Sequence, residues 1–235
     1  MTHEALESDF IAGSTLPLLV WLSPSFPVGA FAYSHGIEAA VEAGDISDAA
    51  NLRGWLSDIL QFGAGRNDAI LLACAWRAAR QGDFDALTEI NDLALALSPS
   101  GERCLETRAQ GDAFIAAISA AWPCATMDGL AARATDGVAY PVALAAAAAG
   151  HDVPLHATLE AALLAFLSNL VSAAVRLGSI GQTDGQKIIA GLMPLAQHIA
   201  LYAETAESDD IGGASFRSDI ASMRHETQYS RLFRS

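Results

Sequence analysis

Apolar positions along this chain recur at intervals of three and four rather than two. Leu52, Trp55, Leu56, Ile59 and Leu60 fall on one face of a helix that Ser47 or Asp48 can cap. The same pattern predicts helices over 68–81, ended by Gly82; over 84–97, capped by Asp83 and stopped at Ser98-Pro99; and over 102–122, with Pro123 behind it. A short helix over 130–135 precedes an alanine helix over 141–149, where Pro141 suits the first turn. Two long helices follow, over 155–177 and 184–203. Near the start, 16–21 is short and apolar, and Pro24, Pro27 and Gly29 make 25–29 a loop. A helix is expected over 31–43, stopped by Gly44. Runs with strand periodicity are scarce, so the fold class is all-α: one globular domain of about ten helices over residues 1–204.

After residue 203 the pattern changes. Glu204, Glu207, Asp209 and Asp210 precede Gly212-Gly213, and residues 205–215 read as an acidic flexible linker. The tail, 216–235, mixes Phe216, Met223, Tyr229, Leu232 and Phe233 with arginines and is expected to be detachable from the core.

Composition narrows the function. Hydrophobic residues are 52% and charged ones 17%, enough for a core without disulfides or metal. The net charge of −14 argues against nucleic acid and anionic membranes as partners. The tail is the exception. Its four arginines outnumber its two acids, a net +2, which leaves −16 for the rest. A basic tail on an acidic body is a handle for a partner or for the body itself. Cys74, Cys104 and Cys124 show no paired spacing and read as reduced thiols of a cytoplasmic protein. Residues 1–10 carry Glu4, Glu7 and Asp9 and no leader pattern. Glu160, Asn169 and Arg176 interrupt the apolar stretch 155–177, which reads as a core helix rather than a membrane span.

Motif chemistry is sparse. His3, His35, His151, His156, His198 and His225 are scattered, and His151 and His156, five apart, do not share a helix face. No metal site, nucleophile elbow or phosphate loop is present, and Lys187 is the sole lysine. No cofactor and no enzymatic activity are expected. Arg53, Arg66, Arg77 and Arg80 read as solvated helix faces, Arg176 as half of a structural ion pair, and Trp21 and Trp55 as core. These features describe a helical interaction protein.

Three segments add a family. Residues 23–38 (SPSFPVGAFAYSHGIE), residues 169–177 with 181–186 (NLVSAAVRL, GQTDGQ) and residues 218–235 (SDIASMRHETQYSRLFRS) resemble three signatures of the UreF urease accessory proteins. Residues 106–111 and 140–143 fit further family patterns. Ser179 stands where the family usually has proline, and Ala30 where it often has glycine. The resemblance implies an all-α, often dimeric adaptor. Such a protein binds a UreD (UreH) protein, recruits the GTPase UreG, and helps apo-urease receive nickel after GTP hydrolysis. It assigns partner binding to Phe26, Pro27, Tyr33, His35, Glu38, Gln182, Arg224, His225, Glu226, Tyr229, Arg231, Leu232 and Phe233. Two alternatives stand beside this: a GTPase-activating protein supplying a catalytic residue to UreG, and a helical scaffold unrelated to urease.

Overall fold

The computed structural model describes residues 13–235. The reading of residues 1–10 lies outside the described residues. The helices are α1 (Leu16–Trp21), α2 (Ile37–Glu42), α3 (Ala49–Phe62), α4 (Ala64–Gln81), α5 (Phe84–Ala96), α6 (Gly101–Ala121), α7 (Ala125–Ala131), α8 (Tyr140–Gly150), α9 (Leu155–Arg176), α10 (Gln182–Ala203) and α11 (Phe216–His225). Short 3₁₀ turns occupy Ala30–Ala32 and Ser208–Asp210. Among the described residues there is no strand.

Capping follows the sequence where its chemistry is local. Asp48 accepts the Asn51 amide at 2.8 Å, Asp83 the Ala86 amide at 3.0 Å, and Ser100 the Arg103 amide at 3.2 Å. Gly82 ends α4 in a left-handed conformation.

The centre is α8, whose residues Pro141 to Ala149 are all buried. It packs on α4 and α6, with α5, α7 and α9 closing around it. Alanine there lets neighbouring backbones come close. The lead-in to α8 is also close to α6: a Cβ at Gly111 would collide with the Val138 carbonyl. Beside this centre, Trp21 and Phe26 pack with Phe114 and Trp122, with ring centroids 5.4–6.2 Å apart.

Among the described residues α9 is the one helix long and apolar enough to cross a bilayer. It is paired with α10, also touches α4, and buries Leu159, Leu163, Leu167 and Leu170.

Three expectations change. The helix over 31–43 is broken. After the Ala30–Ala32 turn, Tyr33 is extended, His35 and Gly36 adopt left-handed φ of 59° and 79°, and only Ile37–Glu42 is α-helical. The helix expected over 130–135 runs earlier, as α7, because extended Cys124 starts it directly after Pro123. The 205–215 segment forms a bonded turn rather than a free tether. Asp210 accepts the Glu207 amide at 3.0 Å, Arg66 donates to the Asp210 carbonyl at 2.7 Å, and Arg77 to the Glu204 and Ala206 carbonyls at 2.8 and 2.6 Å. The Ala214 amide donates to the Phe62 carbonyl at 2.8 Å. Arg66 and Arg77 are therefore fasteners rather than solvated faces, and Arg80 likewise holds Asp152 and the Ala149 carbonyl.

Candidate functional site

The tail that the sequence suggests is detachable lies on the body, across α2 and the start of α6. Gly36 makes this possible. A Cβ there would stand 2.8 Å from the Ser222 amide nitrogen, so glycine admits α11 both by its φ and by its lack of a side chain. Ser222 and Ser100 share a hydroxyl contact at 2.6 Å. Glu226 then accepts the Gly101 and Glu102 amides at 2.8 and 3.3 Å, meeting two orphan donors of α6 at the positive end of its dipole.

At the centre is His225, with no exposed surface. Its Nδ1 is 2.7 Å from Glu102 Oε2 and its Nε2 is 3.1 Å from Glu38 Oε2. Glu38, also buried, accepts the Leu232 amide at 2.7 Å and the Phe233 amide at 2.9 Å. Arg231 reaches the other oxygen of Glu102 at 2.6 Å. Two carboxylates, one guanidinium and one imidazole thus gather from three segments.

The last residues form a short ladder with the N-terminal loop. The Arg234 amide donates to the Ala32 carbonyl at 2.8 Å, and the Ser34 amide to the Ser235 carbonyl at 2.7 Å. The Ser235 hydroxyl donates to Glu106 at 2.6 Å, and Glu106 pairs with Arg103. Buried Phe233 lies under Arg176, whose guanidinium carbon is 4.4 Å from the ring centroid. Arg176 also donates to the Phe31 carbonyl. It forms no ion pair among the described residues; a carbonyl and a ring are its partners.

The remaining assigned residues are placed as follows. Phe26 and Tyr33 are buried and Pro27 is exposed. His35 is buried edge-on to Phe166, with centroids 5.1 Å apart and Nδ1 unpartnered. Burial first, and then the Arg103 charge, hold it well below the usual histidine range, so it is neutral. Gln182 is exposed at the start of α10 and bonds none of the others. Arg224 is exposed. The structure therefore joins Glu38, His225, Glu226, Arg231, Leu232 and Phe233, and leaves Gln182 apart. The sequence reading missed Ser34, Ser222, Glu102, Arg103 and Glu106 as members of the cluster. The available signals were that Ser34 and Ser222 lie in the resembling segments 23–38 and 218–235, and that 106–111 fits a family pattern.

The outer face of the docked segment is apolar. Phe216, Ile220 and Met223 stand at i, i+4 and i+7 on α11, 66%, 47% and 50% exposed, with Tyr229 and Leu232 beyond them also exposed.

Below the cluster lies a cavity of about 540 Å³. Leu18, Trp21, Leu72, Leu144 and Leu163 wall it, while Asp68, Arg103, Glu106 and Gln110 give it a polar end. Exposed Leu19, Phe31 and Leu164 also line it. Burial pushes the Asp68 carboxyl up to about 6, against the opposing pull of Arg103. Among the described residues no group of three or more His, Cys, Asp or Glu could hold a metal. Cys74 and Cys124 are free, and burial pushes both thiols up, which makes them poor nucleophiles.

Comparison with known proteins supplies the family context. The UreF family model matches residues 46–193. The chain is 57% identical over 222 residues to the urease accessory protein UreF of Xanthobacter autotrophicus, covering 94% of this chain and 91% of that one. It is 54% identical to the protein of the same description from Methylorubrum populi, covering 94% and 98%. Identity to that of Azorhizobium caulinodans is also 54%, covering 94% and 96%.

Proposed function

Because this chain belongs to the UreF family of urease accessory proteins, we propose that it is a cytoplasmic, non-catalytic adaptor. In this reading it binds a UreD (UreH) protein, recruits a UreG GTPase, and so supports GTP-dependent nickel insertion into apo-urease. The observation that carries the proposal is the outward stripe of Phe216, Ile220 and Met223 on a segment whose inner face is spent on the body. An apolar row flanked by Arg217, Arg224 and Tyr229 has the residue types enriched at interface centres. A second apolar face, exposed Leu16, Leu19, Val20 and Phe31, supports homodimerisation as part of the same reading.

The arginine inventory favours an adaptor over a GTPase activator. An arginine finger must be free to reach a phosphate and contributes about 10³–10⁵ in rate. Arg176 and Arg231 are both committed within the chain, which narrows the tail's candidates to exposed Arg217, Arg224 and Arg234, and Arg217 is paired with Asp45. The test is capture of the UreD and UreG homologues by the full chain and by an Ile220→Ser, Met223→Ser double variant. The variant should lose UreD, and UreG recruitment with it, while its helical circular dichroism is unchanged. Unaltered capture would reject α11 as the contact. A thousandfold drop in single-turnover GTP hydrolysis on Arg224→Ala, with the complex intact, would replace the adaptor by an activator.

A further inference from the structure

We propose that His225 is a proton-controlled latch that holds residues 226–235 on the body and lets them go as pH rises. The argument starts from donor counting. Carboxylates accept and do not donate, and His225 presents one ring nitrogen to Glu102 at 2.7 Å and the other to Glu38 at 3.1 Å. Both contacts are hydrogen bonds only when both nitrogens carry protons. The ring has no exposed surface, so water cannot replace a missing bond.

Charge balance points the same way. With the ring doubly protonated, His225 and Arg231 offset Glu38 and Glu102. With one proton gone, the cluster keeps an uncompensated negative charge, and a nitrogen lone pair faces a carboxylate oxygen. Arg103 is already paired with Glu106 and is not free to compensate. The nearby Glu226 and Asp219 are acids, so neither supplies a compensating cation; Glu226 is occupied by the α6 amides, and burial pushes the Asp219 carboxyl up.

The consequence reaches the backbone through Glu38. The carboxylate that binds His225 also holds the Leu232 and Phe233 amides. A carboxylate repelled by the ring loosens its grip on both. The docked state therefore binds one more proton than the released state, and linkage makes release more favourable as pH rises, by up to tenfold per pH unit. Only the purpose of the latch, control over how the α11 stripe meets its partner, rests on the adaptor reading.

The experiment is hydrogen exchange of the full chain alone at pH 6, 7 and 8, read at the Leu232 and Phe233 amides and corrected for intrinsic rates. Protection should fall by up to tenfold per pH unit in the native sequence. His225→Gln should abolish that slope. Glu102→Gln, which removes one anion and keeps the imidazole, should leave the amides protected at pH 8. A flat native profile, or the native slope persisting in His225→Gln, overturns the proposal. If His225→Gln exposes the amides at every pH, the native slope and Glu102→Gln decide it. No partner is present, so failure here leaves the adaptor reading intact, and failed UreD capture leaves the latch intact.

Discussion

Helix α8 and the C-terminal segment are both held against α6, by opposite means. From Pro141 to Ala149, α8 offers only apolar side chains, six of them alanine, and every one is buried. Its stability comes from close approach, and no side chain of that stretch needs a particular partner. The C-terminal segment offers His225, Glu226 and Arg231 and needs a named acceptor or donor for each. The first interface resists loss of atoms and suffers from added ones. The second suffers when any member is removed, because a buried charge is then left without its counterpart.

Five substitutions sharpen the contrast. Glu38→Ala should have the largest effect, weakening the docked segment by about 3–5 kcal/mol, since it strands His225 and two amides together. Exchange at Leu232 and Phe233 would report it, with little change in the exchange of α8. Ala146→Leu should cost about 1–3 kcal/mol of global stability by overpacking, measured by urea unfolding. An Ala146→Gly change would cost only about 0.5–1 kcal/mol, as for any helix interior.

Asp68→Asn should go the other way. The folded chain keeps the Asp68 proton up to a pH of about 6, against 3.8 for an ordinary carboxyl. Below pH 3.8 the group is neutral in both states and costs nothing. Above pH 6 the folded state bears the full penalty of a desolvated charge. The variant should therefore gain about 1 kcal/mol at pH 7, solvent in the cavity tempering the effect, and nothing at pH 3.5. Paired unfolding curves at the two pH values would check the sign. Ile220→Ser should be smallest, within about 0.5 kcal/mol in unfolding, because the stripe faces outward and contributes little to the fold.

The comparison also explains what could be read before the structure. Helices α3, α5, α6, α8, α9 and α10 were legible because their signals are local: a cap three residues from its amide, a periodic face, a glycine or proline stop. The stripe of α11 was visible only as apolar residues mixed with arginines, in a segment expected to be a detachable tail. The break at 33–36 was illegible because its cause is 186 residues away, in the approach of Ser222 to Gly36. Glu38 and His225 were both marked by the family resemblance, yet nothing in the chain says that they face each other, 187 residues apart. Glu102 carries no local mark within the helix expected over 102–122, and Glu106 is marked only as the start of a family pattern. The acidic turn near 207 was misread for a related reason. Its composition is that of a tether, and the arginines that tie it down belong to α4.

The capping of α6 by Glu226 sets an order of events for synthesis. A chain made from its N-terminus can bring α4, α6 and α8 together once residue 150 has emerged, since those contacts are fairly local. The first turn of α6 then waits, with Gly101 and Glu102 amides open to water, while another seventy-odd residues are polymerised. Only when the segment after residue 225 leaves the ribosome do these amides, Glu38 and the Ala32 carbonyl acquire their partners together. Closing so long a loop is slow, because its entropy is lost before any contact rewards it. A chain interrupted near residue 215 would already own its alanine core and still lack the outward row of Phe216, Ile220 and Met223.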